Sequence, residues 1–294
     1  MTDQRRVAGG NPTDPARPKV GWIGFGDQGL PMATAIVQAG FALHAWGRRP
    51  TSLDGLADIA HHRHNDIASL AAASDIVGLC VGTDDDVMDL ITGGLLDGLR
   101  PGSIVVNHGT GTPVNAARFT ELCAGADVQV LDAPVSGGRN AALEHRLTTM
   151  VGGPTAAADR ALPMFESFSR HVIYLGGPGS GQAAKLFNNA LMIMNQAAIA
   201  DTLALAASFG MDPAQLFDVL TVASAGSTVL GLFNTMITED TVEHLSQVEA
   251  LDIDLFNTAM REAGLDASEV TARGLSGAHR IADVVRLLNR PAQP

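Results

Sequence analysis

Four groups of residues in this 294-residue chain have the types and spacing to do chemistry. The first is Gly24-Phe25-Gly26-Asp27-Gln28-Gly29, placed after an apolar run at 20–23 and before an Ala-rich stretch that begins at Leu30. Between a strand and a helix, three glycines so spaced have separate jobs. The first permits a tight turn, the second lets a pyrophosphate approach the backbone, and the third lets helix and strand pack closely. The helix N-terminus then turns its N–H groups toward the phosphates. The second group is Arg48-Arg49, at the end of the next apolar run, 41–46. A site for NAD usually places an acid there for the ribose 2′-hydroxyl, yet no Asp or Glu falls between Gly29 and Asp54. Arginines suit a 2′-phosphate by charge and by bidentate geometry, so NADP is expected over NAD. The bland alternative is a pair of solvated surface arginines.

The third group is Asp132-Ala133-Pro134-Val135-Ser136-Gly137-Gly138. It ends a strand and supplies a hydroxyl and two glycine amides in tandem, the material of a concave carboxylate site; spacing alone does not separate this from an ordinary Pro/Gly turn. The fourth lies in Gly179-Ser180-Gly181-Gln182-Ala183-Ala184-Lys185-Leu186-Phe187-Asn188-Asn189. Lys185 and Asn189 are four apart and share a helix face. Gly181, one turn earlier, is expected to leave room there for a ligand. The surrounding helix is apolar almost all round, so a lysine on it is either a costly buried charge with a purpose or a stem reaching for the surface. Only two of the nineteen Lys and Arg residues are lysines, Lys19 and Lys185, which favours the functional reading.

The elements that must position these groups change character along the chain. Strand-like runs at 20–23, 41–46, 76–81, 103–106, 128–131, 148–151 and 172–175 alternate with helical stretches such as 30–39, which Gly40 closes. Such alternation predicts an α/β fold with a mainly parallel sheet covered on both faces. The run 176–181 breaks the pattern with five prolines and glycines, and residues 182–209 then contain neither, as one long helix requires. Three regions are expected: a flexible leader at 1–18, a dinucleotide-binding domain at 19–177, and an all-helical domain at 178–294 for substrate binding and dimerisation.

Composition narrows the classes. The formal charge of −12 opposes a nucleic-acid surface or an anionic-lipid surface. No unbroken run of about 18 uncharged apolar residues is present, so no membrane span is expected. The N-terminus lacks the apolar core of a secretory signal, and the two cysteines, Cys80 and Cys123, make no metal or disulfide pattern. A cytoplasmic chain is the default expectation. His61-His62-Arg63-His64 is read as a surface segment rather than a metal cluster, and Asp84-Asp85-Asp86 as a helix start favoured by the dipole. The apolar stretch 229–236 and the long helix are candidate subunit contacts.

Taken in order, the four groups resemble the β-hydroxyacid dehydrogenase family, which includes 3-hydroxyisobutyrate dehydrogenase, tartronate semialdehyde reductase and 6-phosphogluconate dehydrogenase. The likeness runs from about Lys19 to about Leu288 and also takes in Pro31-Met32-Ala33 and Met150-Val151-Gly152-Gly153. It implies a Rossmann-type doubly wound domain followed by an all-α domain. It further implies NADP-dependent hydride transfer between nicotinamide and the carbinol or carbonyl carbon of a 3-hydroxy acid or semialdehyde, without a metal. By this resemblance Lys185 is the general acid/base and Asn189 orients the substrate. Ser136, Gly137 and Gly138 receive its carboxylate. Thr110 lies near both nicotinamide and substrate, and His244 and Asp252 complete the substrate side. Gly24, Phe25, Gly26, Asp27, Gln28, Gly29, Arg48, Arg49 and Thr110 are the implied cofactor residues. A homodimer or higher homo-oligomer is also implied, with a small molecule as the other partner.

Five positions depart from the family pattern: Ala141 and His145 stand where glycines are common, and the other three fall on the expected substrate and nicotinamide side. Gly109 stands for a serine, His244 for an aromatic, and Leu251 for the lysine before Asp252. A leucine in place of a cation points to a larger or less anionic substrate. Two other functions share the motifs in part. An imine-reductase-like enzyme acting on bulkier carbonyls or imines typically lacks both the 132–138 segment and the lysine, and this chain keeps both. A non-catalytic nucleotide-binding adaptor needs neither Lys185 nor Asn189.

Overall fold

The computed structural model describes residues 17–289. The greater part of the expected leader, residues 1–16, lies outside them. Arg17 is anchored: its guanidinium donates to the Ala39 carbonyl and lies 5.2 Å from the centre of the Phe41 ring.

The chain divides into two compact units, 1–185 and 186–294. The first carries β1 (Val20–Ile23), α1 (Gly29–Gln38), β2 (Leu43–Trp46), β3 (His62–Arg63), α2 (Ile67–Ala73), β4 (Ile76–Leu79) and α3 (Asp84–Leu90). The one-turn α4 (Leu96–Gly98), β5 (Ile104–Asn107), α5 (Pro113–Ala124), β6 (Gln129–Asp132) and β7 (Val135–Ser136) follow. Then come α6 (Gly138–Leu143), β8 (Leu147–Gly152), α7 (Thr155–Phe168) and β9 (Ser169–Gly176). The sheet order is β3-β2-β1-β4-β5-β6-β8-β7, with β9 on β8. Strands β1 to β6 pair in parallel, β8 runs antiparallel to β6 and β7, and β9 is parallel to β8. This is the doubly wound, mainly parallel arrangement that the alternation of elements requires.

The central strands read as unbroken apolar runs because helices cover both their faces. Val20, Trp22, Ile76 and Ile104 sink into the core on one side; Ile23, Val77, Leu79 and Val105 sink into it on the other. Gly78 belongs to this packing, since a Cβ there would stand 2.5 Å from the Trp22 ring. Strand β1 falls on its expected bounds, and the other anticipated strands lie within three residues of theirs. The two-residue strands β3 and β7 were not anticipated, because two residues cannot show an alternation. His62 lies on β3, where its ring stacks on His44 at 4.9 Å, and His64 hydrogen-bonds His44 at 2.9 Å. The Asp84–Asp86 triplet forms the first turn of α3, with Thr83 as its cap.

The helix α8 (Ser180–Phe209) starts in the first unit and continues into the second. The second unit adds α9 (Pro213–Val222), α10 (Val242–Glu262) and α11 (Ser268–Leu288). Leu186, Ala190 and Ile193 of α8 share a core with Ile253, Phe256 and Ala278. By length and composition α8 is apolar enough to cross a membrane. The expectation of no such segment demanded an unbroken apolar run, whereas α8 reaches a mean hydropathy of 1.4 over 18 residues with Asn195 and Gln196 among them. The stretch 229–236 is not a free contact face: Val229, Leu230 and Phe233 are buried in the second unit's own core.

Candidate active site

The three glycines of the first motif differ in what surrounds them. Gly24 has φ +99°, and a Cβ there would fall on the Cys80 carbonyl oxygen. A Cβ on Gly29 would fall on the Gly24 carbonyl oxygen. These two positions therefore need glycine for the backbone itself. Around Gly26 nothing lies within 4 Å of where a Cβ would be. That open space at the start of α1 is what a pyrophosphate requires. A cleft of about 510 Å³ opens here, lined by Gly24, Phe25, Gly26, Arg48, Arg49 and Ser52 among others. Its volume is in the range of small-molecule sites. The residues present fit a dinucleotide: an open glycine cradle at one end and two arginines at the other. Asp27, Gln28, Gly29 and Thr110 are not among the lining residues. Gln28 instead precedes α1 as its cap residue, and Asp27 meets Arg139 at 3.8 Å.

That last contact ties the dinucleotide turn to the start of α6. Ser136 ends β7 half-buried, and Gly137 and Gly138 follow with φ of +130° and +67°. A Cβ on Gly137 would stand 2.6 Å from that of Ala141. Two successive positive φ values aim the amides of the turn in a way that other residues resist.

Lys185 stands half-buried on the second turn of α8. The start of that helix is locked in two ways. Asp132, 2% exposed at the end of β6, accepts from the Gly179 and Gln182 amides at 2.8 Å each. Burial pushes this carboxyl above the ordinary carboxylate range, against the pull of the same amides. Gln182 in turn spans the loop after β5. Its amide nitrogen donates to the Gly109 carbonyl at 2.8 Å, and its oxygen accepts from the Gly111 amide at 2.9 Å. Thr110 is thereby bracketed by a side chain three residues before Lys185. Gly181 does not leave room for a ligand, contrary to expectation. A Cβ there would stand 2.5 Å from the Asp132 and Met150 carbonyl oxygens, so it is glycine to let α8 touch the sheet. Gly109 has a similar cause: a Cβ would stand 2.7 Å from the Val81 carbonyl oxygen.

Next to this loop His108 is fully buried. Its ring is stacked 5.2 Å from Trp22, with Nδ1 donating to the Ala133 carbonyl at 2.8 Å. Burial lowers its pKa to about 4, so it is neutral at physiological pH. Trp22 donates its indole N–H to the Gly24 carbonyl at 2.9 Å, which braces the dinucleotide turn from behind.

In the second unit, Asn189 is buried and its amide is held from both ends. Its nitrogen donates to Asp252 at 2.8 Å, and its oxygen accepts from Asn188 at 3.1 Å. Two turns further along α8, Gln196 donates to Glu249 of α10 at 2.9 Å. Glu249 is 3% exposed, and burial, with Asp252 nearby, raises its pKa to about 7. Leu251 is 63% exposed, and His244 is exposed in the first turn of α10.

Two family models cover this chain. One, the NAD-binding domain of 6-phosphogluconate dehydrogenase, matches residues 19–176; the other, the NAD-binding domain of NADP-dependent 3-hydroxyisobutyrate dehydrogenase, matches residues 179–277. The chain belongs to the β-hydroxyacid dehydrogenase family. Among relatives, an NAD-dependent L-serine dehydrogenase of Pseudomonas aeruginosa is 31% identical over 74% of this chain and 73% of its own length. A 3-hydroxyisobutyrate dehydrogenase of the same organism is 31% identical over 73% of each chain. A solved structure of Mycobacterium tuberculosis 3-hydroxyisobutyrate dehydrogenase with L-serine is 25% identical. It matches with a TM-score of 0.80 over 93% of this chain and all of that one. As a β-hydroxyacid dehydrogenase the chain is an oxidoreductase of the NAD(P)-dependent, hydroxyacid-oxidising class.

Within that family frame, sequence reading missed the residues that hold others in place. Asp132 had a visible signal, a carboxylate closing a strand just before Ala-Pro. Gln182, Gln196 and Glu249 had none, since nothing in a linear pattern marks which loop a side chain will span.

Proposed function

We propose that this enzyme is an NADP-dependent 3-hydroxyacid dehydrogenase or semialdehyde reductase in which Lys185 moves the proton. The observation that carries this reading is the double lock on Lys185's helix. Asp132 and Gln182 hold the start of α8 and the Thr110 loop in one fixed relation. A group that transfers a proton must be held to a fraction of an ångström, and this is a device for doing so.

When bound, the nicotinamide accepts or supplies the hydride. In oxidation the Lys185 amine takes the proton of the substrate's hydroxyl; in reduction its ammonium gives one to the carbonyl oxygen and polarises it beforehand. Ser136 and the amides of Gly137 and Gly138 receive the carboxylate. Asn189, its amide orientation set by Asp252, orients the substrate. Arg48 and Arg49 favour NADP, and the absence of any acid from residue 30 to 53 supports the same preference. The relatives act, by name, on L-serine and 3-hydroxyisobutyrate, both 3-hydroxy acids. Exposed Leu251 in place of the family's cation supports a substrate with less anionic character on that side. The apolar, exposed Leu191, Leu205 and Phe209 of α8 support a subunit contact. A cytoplasmic setting accords with the acidic, cysteine-poor composition.

The test is turnover of 3-hydroxy acids, L-serine, semialdehydes and bulkier carbonyls with NADP(H) and NAD(H), with Lys185→Ala beside the parent. NADP(H)-linked turnover that falls about 10²- to 10⁴-fold in the variant, with cofactor binding retained, is the expected result. Full activity without Lys185, or no 3-hydroxy acid or semialdehyde turned over, overturns it.

A further inference from the structure

The cofactor cleft contains a charge pair that the glycine motif and the arginines do not explain. Asp86, in the first turn of α3, lines the cleft together with Arg48, and its Oδ1 accepts from Arg48 Nη2 at 3.1 Å. The carboxylate is held from behind: Oδ2 accepts from the Thr83 hydroxyl at 3.0 Å, and the Asp86 amide donates to the same hydroxyl at 3.1 Å. A second hollow of about 410 Å³ also borders Arg48 and is lined by two more acids, Asp66 and Asp89. Arg48 therefore borders two hollows that together carry three carboxylates, and Asp86 binds it directly.

We propose that Asp86 sets the cofactor selectivity of this enzyme: it engages Arg48 and holds the preference for a 2′-phosphate below what two arginines alone would give. This rests on Arg48 and Arg49 as the 2′-phosphate contacts. An exposed ion pair of this kind contributes little to folding, with the two side chains 65% and 33% accessible, so stability does not account for it. Its effect on an arriving ligand is larger. The 2′-phosphate carries up to two negative charges and must share Arg48 with a carboxylate already fixed beside it. A ribose with a plain 2′-hydroxyl meets no such repulsion. A strand-end acid that would ordinarily exclude NADP is missing from β2, and a carboxylate from the β4–α3 junction takes up part of that task.

The experiment is direct titration of the full chain with NADPH and with NADH at low salt, followed by nicotinamide fluorescence and calorimetry, so no substrate is needed. The variants are Asp86→Asn, Arg48→Ala and the pair together. Removing one charge a few ångströms from the phosphate, at an effective dielectric between protein surface and water, gives about a tenfold change. Asp86→Asn should therefore tighten NADPH about tenfold and move NADH by less than about twofold. In the Arg48→Ala background most of that gain should vanish, and added salt should shrink it. Unchanged NADPH affinity in an Asp86→Asn protein that melts like the parent overturns the proposal. So does a tenfold loss of NADH binding, which would make Asp86 the ribose ligand instead. The arginine reading fails separately, if Arg48→Ala and Arg49→Ala leave the NADPH-to-NADH ratio of the parent unmoved. A gain in NADPH affinity that persists undiminished in the Arg48→Ala background overturns the route through Arg48.

Discussion

Replacing Glu249 by Gln should stabilise this protein, and only above a defined pH. Glu249 is buried against Gln196. Two acceptor atoms of the pair, Glu249 Oε2 and Gln196 Oε1, are buried without a hydrogen-bond partner among the described residues. A proton on the carboxyl adds the missing donor, and burial accordingly raises its pKa from 4.5 to about 7. Below about pH 4.5 the folded and unfolded chains both hold that proton, and the site is without penalty. Between 4.5 and 7 the unfolded chain releases it first, so stability falls as pH rises; above about 7 the folded chain bears the full cost. At about 1.36 kcal/mol per pKa unit that cost is about 3 kcal/mol. Gln keeps the shape, supplies an acceptor for Gln196 and brings a donor of its own, with no charge to desolvate. Thermal unfolding of Glu249→Gln and parent should coincide near pH 4 and diverge toward pH 8, the variant melting higher by about 5–10 °C. An equal gain at both pH values would mean that packing, not ionisation, is responsible. No gain at pH 8 would mean that Glu249 keeps its charge at no cost, and the burial reasoning would be wrong.

The glycines of the dinucleotide turn should separate into two classes. Gly24→Ala should destabilise the fold, through both its φ of +99° and the Cys80 carbonyl; Gly26→Ala should melt like the parent yet bind NADPH at least about tenfold more weakly, read by melting and by titration. Gln182→Ala frees the Thr110 loop from the helix of Lys185, so kcat should fall about 10-fold or more while cofactor affinity holds; an unchanged kcat would remove Gln182 from the positioning machinery. Leu251→Lys should lower the KM for small anionic 3-hydroxy acids relative to bulkier substrates; an unchanged ratio of KM values would place the exposed leucine outside the substrate's reach.

The elements that the sequence by itself determined are those governed by neighbours along the chain. The runs at 20–23, 76–79 and 104–106 carry no polar side chain, which only a strand covered on both faces tolerates, and the glycine spacing at 24–29 names its own turn. The break at 176–181 and a long helix over 182–209 follow from where proline and glycine are present and absent, and the helix found, Ser180–Phe209, begins two residues earlier. Lys185 stands out through lysine's rarity, and Arg48-Arg49 through the missing acid. What tertiary structure alone decided is which distant groups share space. Gly181 looked like room for a ligand on a helix wheel, and the Asp132 and Met150 carbonyls turn out to fill that room. Asp86 looked like one of three acids favouring a helix dipole, and it is the partner of an arginine 38 positions away. Asp132, Gln182 and Glu249 act on groups 47 to 73 residues distant, or bury a charge whose cost depends on everything packed around it. Periodicity encodes a residue's face, but hydrogen bonds and desolvation depend on positions to within a few tenths of an ångström. Only the folded chain supplies those positions.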